Sequence, residues 1–226
     1  LIDADIAGRP RSYFNRVAHF NPKYQRLLGN AKDDDTYLDK VVVAATTPNG
    51  VFGAKVHWEH FLNLVAKVDR GPSACASTAP VAERLQGRFP DLRYIHLTRA
   101  NKVARAISHY RAVKTGRWQV DARWITDDTG GEGEPAFDFD AIETFVRAGE
   151  TEDDCWRRYF ATHAISPLEL THEEVVRDLE QAVRRVLGFL GIPDEAVKMP
   201  APTLRQQSDK SSREWEHRYR QMCAEA

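Results

Sequence analysis

FPDLRYIHLTRANKVARAISHYRAVKTGRW, residues 89–118, changes its repeat part-way along. Leu92 to Thr98 is short, apolar and rich in strand-forming residues. From Val103 onward the apolar positions Val103, Ile107, Tyr110 and Val113 recur at helical spacing and fall on one face. A strand that hands directly over to a helix is one step of a strand–helix alternation, and the flanking sequence repeats it.

Upstream, residues 46–50 (TTPNG) read as a turn, and residues 51–58 (VFGAKVHW) as a buried strand ending at Lys55, His57 and Trp58. A Ser-, Ala- and Pro-rich loop from Gly71 to Pro80 leads into a helix, Val81 to Arg88. Asp33, Asp34 and Asp35 read as a solvated helix start, and Leu1 to Ile6 as the end of a helix broken by Gly8 and Pro10. Downstream, the Gly-rich stretch from Ile125 to Pro135 reads as a surface loop or lid, and Phe137 to Ala164 as one long helix. PLELTHEEV then supplies a strand running into a pair of helices stopped at Gly191 and Pro193. The tail reads as a solvated helix, locally basic through Arg205, Lys210, Arg213, Arg218 and Arg220 and carrying Trp215 and Tyr219 at an i, i+4 spacing. The alternation predicts an α/β fold with a central parallel sheet flanked by helices.

The 226 residues, 42% of them hydrophobic, suffice for one substantial core, so a single domain over residues 1–226 is expected. With 32 basic and 33 acidic residues the net charge of −1 gives no global attraction to nucleic acid or to an anionic membrane. Any anion site must be local. Cys75, Cys155 and Cys223 are too scattered for a disulfide framework or a zinc ribbon, which points to a reducing, cytoplasmic setting. No apolar run spans a bilayer, no signal segment opens the chain, and the expectation is a soluble protein whose true start is missing.

Arg99 stands where the strand hands over to the helix, and Ser108 lies further along that helix. Ligands of parallel sheets gather at the carboxyl ends of the strands, and a helix N-terminus there favours a phosphate. A guanidinium gives a phosphate charge-assisted bonds and a serine hydroxyl adds one more. The alternative is that Arg99 pairs with a surface carboxylate.

AGRPRSYF, TPNGVFGAKVHW, the 89–118 stretch, FDFDAIE, VRRVLGFLGI and a tail of the form RQ…D…S..W..RY occur together and in that order. Their combination resembles the bacterial trehalose 2-sulfotransferase family over essentially the whole chain. The resemblance implies a P-loop-like sulfotransferase fold and transfer of a sulfuryl group from 3′-phosphoadenosine 5′-phosphosulfate (PAPS, leaving PAP) to a hydroxyl of a carbohydrate, glycolipid or other small acceptor, with no metal. It implies that Arg99 and Ser108 hold the 3′-phosphate, and that Arg205, Gln206, Ser212 and Trp215 neighbour the nucleotide; the tail spacing leaves Gln206 and Gln207 as the alternative to the Arg205–Gln206 pair. It further implies a first strand and phosphosulfate-binding loop that the sequence given does not contain, and a homodimer.

The family's glutamate base would fall at Ser12, which has no pKa for that work. KVHW resembles the Lys-x-His element of the wider superfamily, which makes His57 the candidate base and Lys55 the cation near the transferred group. Ser12, Trp58 and Trp118 are then expected on the acceptor side, with core packing as the alternative for Trp118. His172 either stacks on the adenine or is a surface histidine, and His96 reads as a packed core histidine. Two other classes remain: a P-loop nucleotide kinase or phosphotransferase, and a catalytically inactive nucleotide-binding relative.

Overall fold

Five of the described helices begin where a short polar side chain takes up an exposed amide. The computed structural model describes residues 5–15, 22–29, 31–70, 80–116, 135–193 and 210–225. Along it run α1 (Pro22–Leu28), α2 (Asp34–Ala45), α3 (Trp58–Arg70), α4 (Val81–Arg88), β1 (Ile95–Thr98), α5 (Lys102–Thr115), α6 (Phe139–Thr162), β2 (Leu168–Thr171), α7 (His172–Arg177), α8 (Leu179–Leu190) and α9 (Lys210–Glu225). Asp33 accepts from Thr36 N–H ahead of α2, Asn101 from Ala104 N–H ahead of α5, and Asp178 from Gln181 N–H ahead of α8. Asp138 does the same for Ala141 N–H at 3.0 Å. Thr171 and Glu174 form a reciprocal capping box: Thr171 N–H donates to the Glu174 carboxylate at 2.7 Å and Glu174 N–H to Thr171 Oγ1 at 3.1 Å. Left-handed glycines, Gly116 and Gly191, close α5 and α8.

The chain gathers into two compact units. The first comprises Leu1–His96, Arg158–Glu169 and Asp178–Pro200. Its core holds Tyr13, Phe14, Leu38, Val41 and Leu85, with Ala7 set against Val183 and Leu187 of α8. Phe61 and Tyr94 both pack edge-on to Tyr159, whose hydroxyl is 2.9 Å from that of Tyr94. The second unit comprises Leu97–Arg157, Leu170–Arg177 and Ala201–Ala226. There α5, α6 and α9 bury Val103, Ala106, Ile107, Tyr110, Ile142, Val146 and Tyr219 together. Each such large side chain contributes about 1.5–3 kcal/mol through burial.

β1 and β2 pair in a small parallel sheet flanked by helices, and among the described residues these two are its only strands. β1 is shorter than expected, beginning at Ile95 rather than Leu92. The anticipated strand at residues 51–58 is not one. Only isolated bridges form there, Thr46 with Phe52 antiparallel and Arg11 with Ala54 parallel. The reason is Gly53, whose backbone lies against Gly8 so closely that a Cβ on Gly8 would meet Gly53 N at 2.5 Å. That approach leaves room for a bridge but not for a ladder. Val113, expected on the buried face of α5, is 48% exposed. Ten residues beyond Val103 the helix has turned about 80° off the stripe. Asp5 and Ile6, expected to end a helix, form a turn and bend instead, with Asp5 at φ +48°. The expected lid at 125–134 and loop at 71–79 lie outside the described residues. No helix among the described residues is long and apolar enough to cross a membrane.

Candidate active site

In the second unit, Arg99 follows β1 directly and precedes the N-cap Asn101 of α5. Its Nε is buried and has no hydrogen-bond partner among the described residues. A buried guanidinium N–H left unpaired is costly unless a ligand completes it. The two amides that lead from it into α5 are already taken. Ala100 and Asn101 N–H donate to the two oxygens of Glu173 at 3.0 and 3.2 Å. Burial works against the ionised Glu173, but these backbone bonds outweigh it and hold its pKa below the usual carboxylate value.

His172 opens α7 half-buried; burial first, then the Arg99 charge, lowers its pKa, while Glu173 opposes them. Ser108 sits half-buried about two turns beyond the α5 N-cap. One turn on, Arg111 donates to Ser212 Oγ at 2.6 Å and lies over the Trp215 ring at 5.8 Å. Trp215 also packs against Tyr110 and Phe137, with ring centroids at 6.0 and 5.9 Å. Glu216 accepts from Asn101 Nδ2 at 2.8 Å and from Arg220, and burial opposes its charge while these bonds and the Arg99 charge hold its pKa low. The tail helix is thus tied to the start of α5, and Arg99, Ser108, Ser212 and Trp215 belong to one unit.

In the first unit, the segment that carries Lys55 runs beside the one that carries Ser12, and His57 and Trp58 follow it into α3. Lys55 N–H donates to Arg11 O at 3.0 Å, next to the Arg11–Ala54 bridge. The Lys55 residue is exposed overall, yet crowding of its ammonium by protein atoms pulls its pKa below the usual lysine value. His57, the residue ahead of α3, is exposed, and its carbonyl accepts Phe61 N–H at 2.8 Å. The His60 ring meets it edge-on at 5.2 Å. His60 Nδ1 is buried without a partner among the described residues; burial lowers its pKa, Glu59 opposes the shift and Lys55 adds to it. Trp58 packs on Phe61 and Tyr159.

Trp118, Arg205, Gln206 and Gln207 lie outside the described residues. His96, expected in the core, is half-buried in β1 with Nδ1 2.8 Å from the Glu169 carboxylate. Glu173, Glu216 and His60 were not singled out from sequence. The i, i+3 spacing of His57 and His60 was a usable signal for the last, whereas nothing local marks Glu173 as the partner of residues some seventy positions earlier. A cavity of about 330 Å³ lined by Leu92, Arg93, Tyr94, Ile165, Ser166 and Phe189 lies at the amino ends of the strands, the opposite side from where parallel sheets bind ligands. Among the described residues, no cluster of His, Cys, Asp and Glu is arranged to hold a metal.

The family described as Stf0 sulphotransferase matches residues 1–222. Two relatives are both described as trehalose 2-sulfotransferase. That of Mycobacterium tuberculosis is 28% identical, and that of Mycolicibacterium smegmatis 29%, each over 95% of this chain and 85% of its own length.

Proposed function

Since this chain belongs to the Stf0 sulphotransferase family, we propose that it transfers a sulfuryl group from PAPS to a hydroxyl of a small carbohydrate or glycolipid acceptor, on a single P-loop-like sulfotransferase domain. The observation that carries the donor reading is Arg99, a strand-end guanidinium whose buried Nε has no partner among the described residues. A nucleotide phosphate supplies the missing acceptor, so these residues fit the donor.

Arg99 and Ser108 hold the 3′-phosphate, and the tail residues Ser212 and Trp215, with Arg205 and Gln206 or Gln206 and Gln207, border the nucleotide. When bound, the donor supplies an activated sulfuryl group on a good leaving group. His57 takes the proton of the attacking hydroxyl, a task suited to an exposed imidazole. Lys55 opposes the negative charge that builds as the sulfuryl group moves, and its depressed pKa is what a cation awaiting an anion displays. Ser12, Trp58 and Trp118 border the acceptor.

The test has two arms. PAP should raise the thermal midpoint by mass action, and no shift at saturating PAP removes the donor reading. His57→Ala should lower turnover about a hundredfold with PAP affinity retained; an unchanged rate removes His57 as the base.

A further inference from the structure

β1 and β2 run parallel, so the residues that leave them, Arg99 and His172, emerge at the same carboxyl edge of the sheet. Glu173 fastens the two exits together, because its carboxylate accepts Ala100 N–H at 3.0 Å and Asn101 N–H at 3.2 Å. His172, one residue before that clamp, is thereby held near Arg99, and the Arg99 charge bears on its imidazole. Neither side chain has a hydrogen bond or ion pair among the described residues, and Arg99 Nε is buried.

The fixed charges around this pair already offset one another. Arg99 and Arg220 are the cations and Glu173 and Glu216 the carboxylates; Glu216 accepts from Arg220 at 2.9 Å and from Asn101 at 2.8 Å, and it too feels the Arg99 charge. Glu174, next along α7, is turned to Thr171, whose N–H and hydroxyl donate to it at 2.7 and 2.9 Å. Glu173 and Glu216 are held below the usual carboxylate pKa and stay ionised at neutral pH. A phosphate dianion set on Arg99 therefore brings more negative charge than these groups offset, where partial burial weakens solvent screening. Among them, His172 alone can change its charge near neutral pH. Burial and the Arg99 charge keep it neutral before a ligand binds. A half-buried imidazole costs least in that form, and a proton becomes favourable once a counter-charge stands beside it.

We propose that His172 is a second phosphate-binding residue of the donor site: when the nucleotide's 3′-phosphate settles on Arg99, the imidazole takes up one proton from solvent and holds the phosphate as an imidazolium. This rests on the sulfuryl-transfer reading above. The phosphate remains a dianion and no covalent bond other than the new N–H is made or broken. Donor affinity is thereby coupled to pH. The imidazole has the lower pKa in the free protein and the higher one in the complex, so affinity rises as pH falls through the bound-state value and levels off beneath the free-state value.

The experiment is calorimetric titration with PAP at about pH 7.5 in two buffers of different ionisation enthalpy, whose difference in heat counts the protons exchanged. The parent protein should take up about half to one proton, and its PAP affinity should rise by up to about tenfold per pH unit between about pH 8.5 and about pH 7. His172→Gln should abolish the uptake and flatten the pH dependence. Binding of PAP to the parent without proton uptake overturns the inference and needs no variant to do so. A His172→Gln protein that still takes up the proton overturns it equally. If His172→Gln weakens PAP and adenosine 5′-phosphate alike and leaves the pH dependence in place, the histidine packs against the base and the phosphate assignment fails. Absence of any PAP binding strikes the sulfuryl-transfer reading, and this inference with it, whereas binding without proton uptake strikes His172 alone.

Discussion

Replacing Gly8 by alanine tests the contact that holds the segment of Arg11 against the segment of Lys55. Gly8 has φ +76°, and an added Cβ would lie 2.5 Å from Gly53 N and 2.6 Å from its Cα, both backbone atoms that cannot swing aside. The left-handed conformation alone costs an L-residue about 1–2 kcal/mol. Relieving the overlap must separate two chain segments and so loosen the bonds from Gly8 N–H to Thr47 Oγ1 (3.2 Å) and from Arg9 N–H to Ala45 O (2.9 Å). At about 1 kcal/mol for each of these bonds, the sum is about 3–4 kcal/mol. With an unfolding entropy of about 2.1 cal/mol/K per residue, a chain of this length should lose about 6–9 °C in thermal midpoint. Gly50 is the control, at φ +83° with no atom within 4 Å of an added Cβ. Gly50→Ala should carry the conformational cost alone, about 2–4 °C. The assay is a thermal melt of both variants beside the parent. If the two shift equally, the Gly8–Gly53 approach does not hold the segments together.

Arg99→Gln should weaken PAP binding about tenfold to a hundredfold in calorimetry, because it removes a buried Nε donor with no partner among the described residues; unaltered affinity would return Arg99 to a surface role. Trp215→Phe should keep the melt near that of the parent, whereas Trp215→Ala should lower it by several degrees by vacating the contacts with Tyr110 and Phe137; if both variants melt like the parent, Trp215 is not a packing residue. Burial holds His60, His109 and His172 below the ordinary imidazole value of 6.5, so the unfolded chain binds protons more readily than the fold. Stability should therefore decline as pH drops below that value and level off beneath the folded pKa values. Asp153, Glu173 and Glu216 have lowered pKa values, so a second loss should follow as they are protonated in more acid solution. A thermal midpoint flat from pH 7.5 to about 5 would contradict the first stage.

Local chemistry was readable in the sequence and distant chemistry was not. Asp33 at the head of α2, the limits of α4, the strand-to-helix hand-over at Arg99 and the stop at Gly191 all follow from residues within a few positions of the event. Residues 51–58 misled because their β-branched, apolar content suits a strand, whereas their pairing is set by a glycine more than forty positions away. The same holds within the site. Arg99, Lys55 and His57 are conspicuous by type and position, but that Glu173 occupies the amides leading into α5, and that Arg9 pairs with Asp5 while the buried Arg11 Nε has no partner among the described residues, are facts of tertiary placement. A basic residue does not announce from sequence whether the fold has already provided its partner.

The Glu173 carboxylate at the head of α5 has an evolutionary consequence. Proteins that cradle phosphate in helix amides write recognition into the backbone, which no point substitution erases. Here a resident carboxylate occupies the two amides that lead into α5, and in the reading proposed above the duty rests on the arginine next door. Recognition by a side chain is held in a single codon, so under that reading a lineage could retune the nucleotide it accepts without rebuilding the strand and helix that carry it.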